Sequence, residues 1–454
     1  MAKTDLDVAI IGSGPAGVAA AKMLADMQKR VAVIEENQWG GDAINQRDLP
    51  FKAATSFSHL YGDAIYGERY GISSKTLRFN YPSVQHYIKR VIKESSKKIK
   101  DELERAGVKC MRGRAHLTSN TEISVESEGK ISAKKILIAT GTEWKDPGIA
   151  GVATTKFYKP DEAIFMERVP KTVMIVGGGA TGVELAQYFS EMGSRVAIAE
   201  ISERLLPRED AEVGNVLQQF LEKRFDVKVL TSTRVIALEE NAVTKRVLFL
   251  NGGAEKMVQV EEVILATGSQ PATDIGLENA KVKFSNKGIS VDRMLRTNVK
   301  NIFAAGDVVA GDISSVEVAE FQGGLAAGNM FGGKNYVNYD GFMRVVETDP
   351  QVAVMGLSED DLTKRGKKYK SSLVRLSEVP IAEATDFQMG FVKLITDKKG
   401  GILGAQAVCP NAAEILQEVA VMMRHNFPVI ELASAPHVGI GWNELVRKAA
   451  RKSL

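Results

Sequence analysis

Cysteine is nearly absent from this chain. Cys110 and Cys409 are the two in 454 residues. They cannot build a disulfide framework, and they stand too far apart for a C-x-x-C dithiol or a zinc ribbon. Histidine is scarce too. His59, His86, His116, His425 and His437 show no H-x-x-x-H spacing, so the usual metal-ligand pattern is missing and no metal is expected. There is no surplus of one charge. Lys+Arg 59 against Asp+Glu 56 leaves +3, which lacks the basic excess of a nucleic-acid binder. No apolar run approaches the roughly 18 residues of a membrane-spanning helix. The small apolar stretch VAIIGSGPAGVAA follows MAKTDLD, whose two aspartates carry the wrong sign for a signal peptide. These absences lead to the expectation of a cytoplasmic protein with no membrane span and no nucleic-acid partner.

The remaining composition is that of a globular chain, with 44% hydrophobic and 25% charged residues, which argues against disorder. At roughly 150 residues per domain, the length allows about three domains.

One device occurs twice. LDVAII (6–11) reads as a buried strand, runs into Gly12-Ser-Gly14-Pro-Ala-Gly17 and then into a helical stretch. A second strand, Val31–Ile34, ends in Glu35. Further on, TVMIV (172–176) runs into Gly177-Gly-Gly179-Ala-Thr-Gly182 and a helical stretch, and the strand Val196–Ala199 ends in Glu200. The acid follows the first glycine by 23 residues in both copies. The first glycine permits a tight turn, the second admits a pyrophosphate, and the third lets helix and strand pack closely. Phosphates then meet the free N–H groups of the helix start, and the acid accepts from an adenosine ribose. Both halves carry a later strand ending in Thr-Gly, at Thr140-Gly141 and Thr267-Gly268. The first copy is longer by the segment Trp39–Lys100, which reads largely as helices. Ile302-Phe-Ala-Ala-Gly306-Asp307 adds a further strand and turn. After about residue 336, residues 342–356 and 388–409 alternate as antiparallel strands do, with Gly400-Gly401 as turn signal. Helical stretches follow near 411–425 and 441–452.

These motifs resemble the flavin-dependent pyridine nucleotide–disulfide oxidoreductases over nearly the whole chain. The likeness is strongest at GSGPAG, GGGATGVELA, TNVKNIFAAGD, Glu347-Thr-Asp-Pro350 and Pro410-Asn-Ala-Ala-Glu414. The resemblance implies an α/β fold with two Rossmann-like dinucleotide-binding domains and a C-terminal α+β dimerisation domain. It implies an FAD-binding domain at 1–148 and 270–335, an NAD(H)-binding domain at 149–269, and a dimer interface at 336–454. Gly12, Gly14, Gly17, Glu35, Thr140, Gly141 and Asp307 would contact FAD. Gly177, Gly179, Gly182 and Glu200 would contact the nicotinamide dinucleotide. Glu200 favours a free ribose and repels a 2′-phosphate, so NADH is expected over NADPH, although Arg204 four residues on leaves a phosphate possible.

The family places its redox disulfide in Gly-Gly-Thr-Cys-Leu-Asn-x-Gly-Cys-x-Pro-Ser-Lys. This chain reads Gly40-Gly41-Asp42-Ala43-Ile44-Asn45-Gln46-Arg47-Asp48-Leu49-Pro50-Phe51-Lys52. The length matches without a gap, and both cysteines are gone, replaced by Ala43 and Asp48. A dithiol relay by thiol exchange is therefore not expected. The resemblance implies that Lys52 lies near the flavin, paired with Glu184. The alternative is a solvated lysine. Asp48 would lie beside the ring and hold a proton, or else cap a helix or pair with Arg47. The family's C-terminal His-Glu dyad corresponds to His437 and Glu444, here seven residues apart rather than five. His437 could serve as a proton donor or be a hydrogen-bonded loop residue, and Trp442 could wall the site or simply pack.

The expected function is hydride transfer from NADH through FAD to a small-molecule acceptor such as a quinone, by a homodimer. The alternatives are a pyridine nucleotide transhydrogenase and a flavin electron-transfer subunit.

Overall fold

A computed structural model describes residues 6–73, 76–126, 128–241, 243–311 and 314–454. The chain forms two compact units. The first comprises Met1–Ala53, Pro82–Asp146 and Gly268–Tyr339. The second comprises Ala54–Tyr81, Pro147–Thr267 and Asp340–Leu454. Ala54–Tyr81, which the sequence reading leaves in the first domain, clusters with the second unit. The reason is local packing. Within that unit His59 meets Glu191 at 3.0 Å, and the Arg224 guanidinium lies 4.4 Å from the Tyr66 ring centroid.

In the first unit, β1 (Leu6–Ile11) turns into helix α1 (Pro15–Asp26), followed by β2 (Val31–Glu35). Helix Gly41–Asn45 comes next, then α2 (Asp48–Tyr66), which belongs to the second unit from Ala54 on, and α3 (Tyr81–Arg105), as the helical reading of Trp39–Lys100 anticipates. Strands β3 (Lys109–Arg112) and β4 (Gly129–Ile138) follow. The parallel order is β3-β2-β1-β4, with the strand Ile302–Ala304 beside β4. Val8 through Ile11 and all of β2 are buried. A parallel sheet covered on both faces requires such apolar runs. Proline at the first helical position costs α1 nothing, because that N–H has no partner within the helix. The helix Val316–Met330 packs against α1 closely enough that a Cβ on Gly323 would lie 2.0 Å from the Ala16 carbonyl oxygen. The β1–α1 turn thus sits at the C-terminal edge of the sheet, where strand order reverses and ligands bind in such folds.

The second unit repeats the arrangement. Strand β5 (Thr172–Val176), α4 (Ala180–Glu191), β6 (Arg195–Ala199), α5 (Ala211–Phe225), β7 (Lys228–Leu230) and β8 (Glu262–Leu265) give the parallel order β7-β6-β5-β8. A three-stranded antiparallel meander intervenes between β7 and β8 in sequence. The C-terminal segment folds into an antiparallel sheet of β9 (Met343–Val346), β10 (Gln351–Gly356), β11 (Lys370–Arg375), β12 (Phe391–Thr396) and β13 (Ile402–Cys409), ordered β9-β10-β13-β12-β11. Helices α6 (Ala412–His425) and α7 (Glu444–Ser453) bury Ile415, Leu416, Val419, Leu445, Val446 and Ala449 in its core.

A buried ion pair joins the second nucleotide fold to this sheet. Lys393 Nζ donates to Asp210 at 2.7 Å, with side chains 1% and 3% exposed. Gln406 and the Glu359 amide also donate to Asp210. Among the described residues, Asp210, Glu212 and Glu359 form the one acidic group close enough to hold a metal ion. Lys393 Nζ already lies 2.7, 3.4 and 3.6 Å from the three carboxylates, so an ammonium supplies the positive charge there. No described helix is long and apolar enough to cross a membrane.

Candidate active site

The first glycine loop shows a different constraint at each glycine. Gly12 has φ +102°, and a Cβ there would lie 2.3 Å from the Ala139 carbonyl oxygen. A Cβ on Gly17 would lie 2.0 Å from the Gly12 carbonyl oxygen. On Gly14 it would meet nothing within 4 Å. Gly12 and Gly17 are thus small so that backbone can touch backbone. Gly14 is small where the structure leaves open space before the N-terminus of α1. Anions are favoured at such a place by the exposed N–H groups and the helix dipole. Glu35, 7% exposed, accepts from the Ser13 amide at 2.9 Å, the Ser13 hydroxyl at 2.7 Å and the Asn37 amide at 2.7 Å. A carboxylate has about four acceptor positions, so one remains for a ribose hydroxyl.

The Gly40–Lys52 segment is built onto this loop. A Cβ on Gly41 would lie 2.7 Å from Gly14 Cα, and the Gly40 amide donates to the Ser13 hydroxyl at 3.1 Å. The Gly-Gly pair therefore serves docking, a need that outlives the cysteines. Asn45 Nδ2 donates to the carbonyls of Gly41 at 2.8 Å and Trp39 at 3.1 Å, while its buried Oδ1 has no hydrogen-bond partner among the described residues. Ala43 is half-buried. Asp48 opens α2. Asp48 is exposed. Desolvation by the surrounding protein pushes its carboxyl above the usual range, its own amide and Arg47 oppose the rise, and Glu317 and Asp307 add to it. Arg47 itself lies 3.7 Å from Asp42. Lys52 is exposed one turn beyond Asp48. Nearby in the same unit, Gly141 has φ +68° with open space at its Cβ position. Thr140 Oγ1 donates to Ala272 O at 2.7 Å, and Asp307 accepts from Ser314.

The second loop matches the first closely. Cβ atoms on Gly177 and Gly182 would lie 2.3 Å from the Ala266 oxygen and 1.9 Å from the Gly177 oxygen, and one on Gly179 would meet nothing within 4 Å. Glu200 is 5% exposed and accepts from the amides of Gly178 at 2.6 Å and Ser202 at 2.7 Å. Arg204 is engaged elsewhere. Its Nη2 donates to the Glu209 carbonyl at 3.2 Å and to Asp360 at 3.3 Å. Glu184 accepts from the Glu347 amide at 2.8 Å.

The matches with known proteins agree with these two cradles. The sequence profile of the pyridine nucleotide-disulphide oxidoreductases matches residues 6–323, and that of their dimerisation domain matches residues 342–449. The chain belongs to the pyridine nucleotide-disulphide oxidoreductase family. It is 28% identical to dihydrolipoyl dehydrogenase of Staphylococcus aureus, over 99% of this chain and 97% of that protein. It is 29% identical to mercuric reductase of Bacillus cereus, over 94% of this chain and 68% of that protein. Its structure is similar to that of LpdA from Mycobacterium tuberculosis, with TM-score 0.89 and 24% identity over 98% and 99% of the two chains, a likeness of fold. As a member of this family the chain is an oxidoreductase that takes FAD and NAD(P)H. The two glycine cradles, each with its buried acid, fit the dinucleotide parts of these cofactors.

The chain carries two cysteines, and neither stands in the Gly40–Lys52 segment. Both are free. Cys110 lies on the edge strand β3 opposite Val33, and burial pushes its thiol up to about 11. Cys409 is fully buried in β13, and burial pushes its thiol higher still. A reactive cysteine needs the opposite shift, toward thiolate.

At the C-terminal end, His437 and Glu444 have separate partners. His437 Nδ1 contacts the Ala435 carbonyl at 2.9 Å and Nε2 contacts Glu418 at 3.2 Å. Glu444 opens α7 and lies 3.6 and 3.7 Å from Arg447 and Lys448 of the same helix. Trp442 packs edge-on against Phe387. Glu418 lies 19 residues before His437, and no local spacing announces it.

Proposed function

We propose that this protein is an FAD-dependent NADH oxidoreductase that passes reducing equivalents straight to a small diffusible acceptor such as a quinone, with no protein disulfide between. The observation that carries this reading is the pair Ala43 and Asp48 at the two cysteine positions of an otherwise gapless motif. The state of Cys110 and Cys409 supports it, because neither is a poised thiolate.

Bound FAD would supply the two-electron hydride chemistry. The chain's residues bind and orient. Gly12, Gly14 and Gly17 with Glu35 would hold the adenosine and pyrophosphate of FAD, joined by Thr140, Gly141 and Asp307. Gly177, Gly179, Gly182 and Glu200 would hold the nicotinamide dinucleotide. NADH is favoured over NADPH because Glu200 stands where a 2′-phosphate would go, and Arg204 is committed to Asp360 and the Glu209 carbonyl. Lys52 and Glu184 take the redox-site roles that the family likeness gives them. Asp48 holds a proton at its carboxyl more readily than an ordinary aspartate, and the second cysteine's position has become an acid. The dimerisation domain makes the working unit a homodimer, with His437 and Glu444 at the family's dyad positions.

Anaerobic titration of the holoenzyme with NADH tests the reading. Bleaching should be complete at one two-electron equivalent per FAD, without a long-wavelength thiolate–flavin band. Reoxidation by a soluble quinone should outpace reoxidation by lipoamide, NADP or a partner protein. Faster turnover with lipoamide would sink the proposal.

A further inference from the structure

The turn after Glu200 carries a cation that the second cradle leaves unused. Glu200 accepts from the Gly178 amide at 2.6 Å, and the Leu206 amide donates to the Gly178 carbonyl at 2.9 Å. Residues 200–206 thus leave Gly178 and return to it. A Cβ on Gly178 would lie 2.6 Å from Leu205 Cδ2 and 3.1 Å from Glu200 Oε2, so Leu205 and the buried acid meet at one point. Arg204 directly precedes Leu205 and is the only cation in residues 200–206.

The Arg204 guanidinium is held by two groups outside that turn. Nη2 donates to the Glu209 carbonyl at 3.2 Å and to Asp360 at 3.3 Å. Its Nε is buried and has no hydrogen-bond partner among the described residues. A buried donor without an acceptor costs free energy, so this pose does not satisfy the side chain. The Asp360 side chain is 58% exposed, and an ion pair of that kind is weak. The frame around it is firm. The Asp210 carboxylate accepts from the amides of Glu359 and Asp360 at 3.1 and 3.5 Å and from Lys393 of β12 at 2.7 Å. Glu209 takes Nε and Nη2 of Arg344, on β9, at 3.0 and 2.7 Å. The C-terminal sheet therefore fixes both groups that hold Arg204.

We propose that Asp360 is a positioning residue that determines coenzyme specificity: it holds Arg204 away from the place of a 2′-phosphate, so that Glu200 alone faces the ribose. This inference rests on the reading of the second cradle as the nicotinamide-dinucleotide site. A guanidinium grips phosphate oxygens through two parallel N–H bonds, and the unspent Nε–H with an Nη–H makes such a fork. Arg204 released from Asp360 supplies the positive partner that Glu200 denies to NADPH. NADH has no phosphate there for it to grip. The choice between the two coenzymes is thereby set from the dimerisation domain, which carries neither glycine cradle.

Calorimetry on the holoenzyme, with FAD in the first cradle, reads this without turnover. The probes are 2′,5′-ADP and 5′-AMP, which differ by the 2′-phosphate alone. In Asp360→Ala, 2′,5′-ADP should bind about tenfold more tightly, the scale of one hydrogen bond to a charged group, and 5′-AMP should hold its affinity. The KM for NADPH should fall while that for NADH stays. Asp360→Glu should restore the parent preference, and the gain should be absent when Arg204→Met is added to Asp360→Ala. Arg204→Met by itself should leave the preference as it is in the parent. No gain, an equal gain for both probes, or a gain that survives the loss of Arg204 overturns the proposal. So does weaker 2′,5′-ADP binding in Arg204→Met, which would put the arginine on the phosphate already. If the parent binds neither probe and neither coenzyme, the reading of the second cradle fails instead. Thermal unfolding of Arg204→Met, Asp360→Ala and the double variant then decides the tether, which requires non-additive losses, and additive ones overturn it.

Discussion

The two glycine loops agree to about a tenth of an ångström in their tightest contacts, yet their surroundings differ. In the first, Ser13 occupies the middle of the loop. Its hydroxyl bonds Glu35 and takes the Gly40 amide. In the second the same place is Gly178, where a Cβ would lie 2.6 Å from Leu205 Cδ2 and 3.1 Å from Glu200 Oε2. The first loop is covered by the turn that once carried thiols in related chains, and the second by a leucine. The comparison separates scaffold from chemistry. Gly40, Gly41 and Asn45 persist because the first loop needs a cover that docks on Gly14.

The sharpest way to break this comparison is to overfill one loop at a time. Gly17→Ala and Gly182→Ala each push a methyl into a backbone oxygen, at a cost of about 1–3 kcal/mol. Gly17→Ala should purify without bound flavin. Gly182→Ala should keep the yellow chromophore and lose its bleaching by NADH. Absorbance spectra of the two purified variants decide it, and equal flavin loss in both would show that the loops are not independent sites.

The next largest effect comes from putting the thiols back. Ala43→Cys with Asp48→Cys should raise the NADH consumed in anaerobic titration from one equivalent per flavin to two, and should bring in the long-wavelength band. If the scaffold has drifted with the chemistry, the pair will not form and the count will stay at one.

A smaller change tests the second loop's acid. Glu200→Ala removes a charged acceptor, a contact of about 1.5–3 kcal/mol. NADH should weaken roughly tenfold or more by steady-state KM, while NADPH changes little, so the preference between them narrows. The smallest effect belongs to Asp48. Because its carboxyl is raised in the folded chain, ionisation destabilises the fold above the ordinary carboxylate range. Asp48→Asn should raise the melting temperature at neutral pH by about 2 °C or less, and the gain should vanish in acid, where the parent residue is already protonated.

Much of this was legible in residue order. Both strand–loop–helix units, the helical insert Trp39–Lys100 and the C-terminal strands stand where the sequence signals put them, because backbone sterics and hydrophobic period act over a few residues. Other features left no local mark. The strand Lys370–Arg375 has only Ser372 and Leu373–Val374 facing inward to any degree, so its polar edge-strand sequence hides it. Glu418 as partner of His437, Glu191 as partner of His59, and Lys393 as partner of Asp210 lie 19, 132 and 183 residues from their mates. Ala54–Tyr81 likewise joined a unit that its position in the chain does not suggest.

Sequence alone determined the two cradles, their acids and the presence of Ala43 and Asp48 in the Gly40–Lys52 segment, since each is a matter of which atoms exist at a given spacing. Tertiary structure alone decided which ionisable groups face one another: Arg204 turned to Asp360, His437 to Glu418, His59 to Glu191. Charge pairs are made by distance and burial, and both are products of the whole fold rather than of any short stretch of chain.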